Sequence, residues 1–191
     1  AKGFGIIANI LFGLMITMCA AFGFLAAGPS GPPYFTSSRV SVLTVVWIMN
    51  GLMTFYTYFK DVRGDREAGK QTVVVKYGLE KSRVMAILLS FLPSALFTVF
   101  YASGMIEAPL NRVFIILGIL TVFLEIWTGF LYYKNPEGRM TYYSLAVNFR
   151  ACTCGQATFI ALFNKELALI LFIVSYVFVG FLFNLHTNYK A

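Results

Sequence analysis

The sequence predicts an all-α fold, a polytopic transmembrane helical bundle, and three observations carry that expectation. Of 191 residues, 59% are hydrophobic and only 12% charged, whereas soluble domains run near about 25% charged. The apolar residues gather into six runs, each long enough at about 1.5 Å per residue to cross roughly 30 Å of hydrocarbon. Between the runs lie short stretches of Gly, Pro, Asn and Ser, the residues that end helices.

The first expected span covers 6–27. Lys2 and the LAAG of 25–28 also permit a signal-peptide reading, but the run outlasts the roughly 7–15 residue core of such peptides. A membrane helix is the better reading, and the initial Ala suggests a chain whose beginning lies elsewhere. GPSGPPYFTSS then breaks the chain before a second span at 40–59. A charged segment, 60–83, separates this from a third span at 84–103. SGMIEAPLN leads to the fourth span, 113–133, and KNPEGR to the fifth, 140–163. NKE precedes the sixth, 167–186. No internal repeat stands out, so 1–191 reads as a single transmembrane domain.

Charge placement gives an orientation. If the spans alternate, Lys2, the 60–83 loop, the 134–139 turn and Lys190 share one side, with eleven Lys or Arg. Arg39, Arg112 and Lys165 face the other. The positive-inside rule puts the 60–83 loop and both chain ends in the cytoplasm. The net charge of +7 therefore speaks for topology and membrane lipid headgroups. No nucleic-acid-binding motif is present, and a nucleic-acid partner is not expected. Cys19, Cys152 and Cys154 form no disulfide framework and read as packing residues in apolar segments.

Residues 60–72, KDVRGDREAGKQT, concentrate the chemistry. If the helix from Val40 runs past Lys60, Asp61 and Asp65 lie on one face, a turn apart. The same face continues back through Thr57 and Thr54 to Asn50, a polar stripe that belongs against protein or a wet cavity. Two such carboxylates suit Mg²⁺, which commonly takes one or two and completes its shell with water and phosphate oxygens. Lys60, Arg63, Arg66, Lys70 and Lys76 surround the pair and could neutralise a diphosphate. On spacing alone, a solvated basic loop with Asp residues balancing charge is the simpler reading.

The residues also carry a resemblance. Asp61, Asp65, Gly69, Thr72 and Gly78 follow the pattern D-x-x-x-D-x-x-x-G-x-x-T with a Gly before the next span. This is similar to the second aspartate-rich motif of the UbiA-type intramembrane prenyltransferases. The resemblance implies a helical bundle around a cavity, Mg²⁺ as cofactor, a polyprenyl diphosphate donor and a hydrophobic acceptor. The acceptor could be a quinone-precursor aromatic, a tetrapyrrole or a glycerol-phosphate lipid. By carry-over, Asp61 and Asp65 become metal ligands and catalytic residues. Lys60, Arg63, Arg66, Lys70, Asn50 and Thr54 become substrate-binding candidates.

The family's first motif, N-D-x-x-x-D-x-x-x-D, has no counterpart, since Asp61 and Asp65 are the only Asp residues in the sequence. The chain is therefore expected to be the C-terminal two thirds of such an enzyme, needing a missing N-terminal segment or another chain for that motif. Four spans follow the matching motif where the family usually has three. A non-catalytic membrane component, whether a degenerate homologue, a scaffold or a transporter-like bundle, is the competing function. Glu125 and Arg150 lie about 14 and 16 Å into their spans, where an ion pair between antiparallel neighbours is expected. Asn148 is a possible acceptor-site residue, and His186 an interfacial one.

Overall fold

The computed structural model describes residues 5–27 and 32–188; Lys2 and Lys190 lie outside the described residues, and so does the His186 side chain. Among the described residues eight helices run in order: α1 (Ile6–Ala27), α2 (Ser37–Glu67), α3 (Val73–Tyr77), α4 (Leu79–Leu89), α5 (Leu92–Ala102), α6 (Arg112–Lys134), α7 (Met140–Ile160) and α8 (Lys165–Asn188). There is no strand among the described residues, and the polytopic helical bundle is the architecture found.

Among the described residues five helical stretches are long and apolar enough to cross a membrane: α1, α2, α4 with α5, α6 and α8. The fifth expected span, α7, has the length, 21 residues, but is not among the stretches apolar enough by composition, so the count of six spans is not confirmed in full. The reason is its sequence, MTYYSLAVNFRACTCGQATFI, which carries Ser, Thr, Asn, Arg and Gln along its length. Those residues are tolerable because α7 packs between α2, α6 and α8. A polar helix that faces protein rather than lipid can satisfy its side chains there.

Local signals set the helix ends. Thr36 caps α2 by accepting from the Arg39 amide at 3.3 Å, and Asn111 caps α6 by accepting from Phe114 at 2.9 Å. The third span is broken: α4 stops at Leu89 and α5 restarts with Pro93 in its first turn. Pro lacks the N–H that would continue the ladder, so the break falls where the sequence requires it.

α2 is the axis of the molecule. Its 31 residues span about 46 Å, against about 30 Å of hydrocarbon, so its last turns project past the membrane core. α1 crosses it closely. Asn9 donates to the Gly51 carbonyl at 3.1 Å, Trp47 donates to Ile10 at 2.9 Å, and a Cβ on Gly13 would come within 2.6 Å of the Trp47 carbonyl. Small residues permit this approach of two backbones. Near the far end of α2, Phe59 and Tyr56 pack on Tyr132 of α6 at 4.9 and 5.0 Å between ring centroids. Val73 and Val74 of α3 complete that core.

The elements expected on one side do gather at one end. A Cβ on Gly5 would sit 3.1 Å from the Gln71 carbonyl, Arg63 reaches Glu137 at 3.7 Å, and the Arg83 guanidinium lies over the Tyr133 ring at 5.3 Å. The start of α1, the end of α2, the start of α4 and the α6–α7 turn are thus neighbours.

Candidate functional site

Within the 60–83 segment, α2 continues unbroken to Glu67, so Asp61 and Asp65 sit on a rigid helix with their side chains a turn apart. The helix then closes with a specific cap. Gly69 donates its N–H to Arg66 at 3.1 Å, and Lys70 donates its N–H to the Asp65 carbonyl at 2.9 Å. This pair of bonds is the Schellman motif, which needs a left-handed residue after the C-cap. Gly69, at φ +67°, supplies it without a Cβ penalty.

The cap turns the chain back over its own last turn, and the consequence is electrostatic. Lys70 Nζ lies 3.0 Å from Asp65 Oδ1, a charge-assisted contact. Asp65 itself is 2% exposed, and its Oδ2 is buried without a hydrogen-bond partner. Thr72, fully buried, caps the short α3 by backbone geometry alone, and its hydroxyl is likewise without a partner. Two positions of one sequence motif thus hold unsatisfied buried oxygens, which native structures rarely leave without a reason.

Asp61 is more open, with Lys60 Nζ 3.9 Å from its carboxylate. Of the four basic candidates, then, Lys60 and Lys70 stand beside the carboxylates. Arg63 instead pairs with Glu137 of the α6–α7 turn. Arg66 is exposed in the last turn of α2, where a cation is favoured by the helix dipole. Among the described residues no third acidic, His or Cys side chain joins Asp61 and Asp65. Two carboxylates with one unsatisfied buried oxygen still fit Mg²⁺, whose remaining positions are commonly water and phosphate oxygens.

The polar stripe below the carboxylates is real but mostly self-satisfied. Thr57 donates to the Thr54 carbonyl at 2.7 Å and Thr54 to the Asn50 carbonyl at 3.1 Å. Asn50, 1% exposed, donates to Val46 at 2.8 Å, and its Oδ1 receives longer contacts from Cys152 at 3.5 Å and Gln156 at 3.4 Å on α7. Gln156 also lines a cavity of 730 Å³ between α1, α2, α7 and α8, with Arg39 and Ser175 in its wall. It went unnoticed in the sequence although a signal existed. Asn148, Cys152 and Gln156 recur every four residues, one face of a helix, and Asn148 bonds the Met53 carbonyl of α2 at 3.0 Å.

The expected Glu125–Arg150 ion pair is not formed. Glu125 Oε2 accepts from Ser94 of α5 at 2.8 Å, whereas Arg150 donates to the Tyr176 carbonyl of α8 at 3.1 Å and lies over its ring at 4.5 Å. The two residues have similar depth but point to different neighbours, one toward α5 and the other toward α8. Cys152 and Cys154 are buried as expected, while Cys19 is exposed on α1.

A family model described as the UbiA prenyltransferase family matches residues 1–144, which takes in α1 to α6 and the start of α7. No curated protein and no solved structure matches the chain.

Proposed function

Because this chain belongs to the UbiA prenyltransferase family, we propose that the end of α2 is a diphosphate-binding site for prenyl transfer to a lipid-soluble acceptor. The observation that carries this reading is Asp65. Its carboxylate is buried, held by Lys70 through one oxygen, and left with the other unsatisfied. A folded protein that maintained such a group for stability alone would gain more by burying an apolar residue.

The donor is a polyprenyl diphosphate, and Asp61 and Asp65 would hold Mg²⁺. When bound, the ion supplies positive charge against the diphosphate oxygens. The chain's own part is binding and charge stabilisation. Lys70 and Lys60 stand beside the carboxylates, and Arg66 extends the positive field from the last turn of α2. Arg63 can join them by leaving Glu137, since both partners of that pair are well exposed and surface pairs of this kind contribute roughly 0–1 kcal/mol.

Transfer breaks the allylic C–O bond, with the electron pair leaving on the diphosphate oxygen. The acceptor forms the new bond to the allylic carbon and releases a proton. Lys60 and Arg66 would stabilise the charge that develops on the leaving group, while Lys70 holds the diphosphate in ground and transition states alike. Asn50 and Thr54 would line the path of the prenyl chain; the 730 Å³ cavity that Gln156 borders meets α2 further back, at Arg39, Val42, Leu43 and Val46. The acceptor class is a quinone-precursor aromatic, a tetrapyrrole or a glycerol-phosphate lipid. The second set of acidic ligands has no counterpart among this chain's Asp residues and would come from another segment or chain.

The test is Mg²⁺-dependent transfer of a radiolabelled prenyl group in membranes carrying the protein. The expectation is that Asp61→Ala and Asp65→Ala each abolish transfer. Wild-type rates in both variants would overturn the assignment and favour a non-catalytic membrane component.

A further inference from the structure

The break in the third span has a second result. α4 packs on α6, but beyond Pro93 α5 turns onto α2 instead. The resulting gap is a cavity of 320 Å³, floored by Val45 and Met49 of α2 and walled by α5, α6 and α7. Within it Ser94 and Glu125 bridge the gap, and only one Glu125 oxygen is used. Among the described residues no hydrogen bond reaches the other, and the residue is 9% exposed. At about 14 Å from the end of α6, this carboxyl group sits at hydrocarbon depth. Such a group is a functional candidate by default.

We propose that this space binds a neutral, lipid-soluble alcohol whose hydroxyl donates to the unpartnered Glu125 oxygen. The walls are otherwise Pro, Phe, Ile, Val, Met, Gly and self-bonded Thr, with no Lys, Arg or His. Thr98, Ile115 and Ile119 at its margin are exposed and lie within the third and fourth spans, so the occupant enters from lipid. An ammonium would have to shed its hydration at a cost of several kcal/mol. An alcohol gives up far less, and Glu125 returns it.

This pocket is separate from the aspartate site. Val45 and Met49 project from α2 about a third to a half of a turn away from Asn50, Thr54 and Asp61. Its test therefore stands apart from prenyl transfer, and Asp65→Asn protein should behave here as wild type.

Purified protein in lipid nanodiscs would be irradiated with a long-chain alcohol bearing a diazirine, and with its methyl ether. Labelling is expected on peptides containing 93–98 and 114–122, with the ether about tenfold weaker for loss of one hydrogen bond to the Glu125 carboxyl oxygen. Glu125→Leu should erase the difference between the two probes. Gly118→Leu should abolish labelling by both without loss of thermal stability, because a Cβ on Gly118 meets nothing within 4 Å. Equal labelling of wild type by alcohol and ether would overturn the proposal. So would stronger labelling by the matching long-chain amine, or unchanged labelling of Gly118→Leu. Should Glu125→Leu fail to fold, the two probes on wild type still decide.

Discussion

Asp65 and Glu125 are both buried acidic residues with one oxygen hydrogen-bonded to a side chain, and Asp65 Oδ2 is buried without a partner, yet the two are built in opposite ways. Asp65 takes its partner from five residues along, through a helix cap that returns the chain upon itself. Glu125 takes its partner from a different span, 31 residues away, across a gap made by a proline break. The first partner is a cation beyond the membrane core, and the second a neutral hydroxyl inside it. A site that must hold a polyanionic diphosphate needs the former, and a site for an uncharged lipid needs the latter.

The comparison breaks first at Asp65. Asp65→Asn keeps the shape and removes the charge, and prenyl transfer in membranes is expected to fall about 10²–10³-fold, the usual effect of losing one charge-stabilising group. Thermal unfolding should change by no more than about 1 kcal/mol, since the amide oxygen still accepts from Lys70 and the second amide atom is as unpartnered as the oxygen it replaces. A large loss of stability together with activity would make Asp65 structural.

Lys70→Met should do the reverse to the fold. It leaves the Asp65 carboxylate buried with neither oxygen paired, a loss of about 1 kcal/mol once the 38% exposure of the Lys70 side chain is allowed for. Transfer should weaken mainly through KM for the diphosphate donor, because the ammonium binds ground state and transition state alike. A kcat loss with KM unchanged would contradict that role.

How much of each site the sequence disclosed follows from the same contrast. Asp61, Asp65, Gly69 and Lys70 interact within a single turn and its cap, and spacing alone locates them. The gathering of the 60–83 segment with the start of α1 and the α6–α7 turn was also legible, because alternating spans leave few options. Depth was readable for Glu125 and Arg150, but azimuth was not. Which neighbour each meets depends on how α5 and α8 pack, and no local pattern encodes that. The low apolarity of α7 has a related reason: its polar residues are permitted only because three other helices cover it.

Gly69→Ala tests whether the cap itself matters. The added methyl meets no atom within 4 Å, so its cost is the left-handed backbone alone, about 1 kcal/mol. Loosening that turn moves Lys70 away from Asp65, and transfer is expected to fall several-fold. If activity is unchanged while stability drops by that amount, Lys70 is positioned by something other than the cap.

The smallest expected effect is that of Glu125→Gln on transfer. Its amide oxygen can still accept from Ser94, and its cavity lies on a different face of α2 from the aspartates, so the rate should stay within about twofold, the range of distant, independent sites. A double substitution with Lys70→Met, measured in the same transfer assay, sharpens this into a coupling measurement. If the two carboxylate sites are separate, their effects add to within roughly 0.3–0.5 kcal/mol. A larger coupling would mean that α2 transmits between its two faces, and that what occupies the lipid-side cavity tunes the diphosphate site at its end.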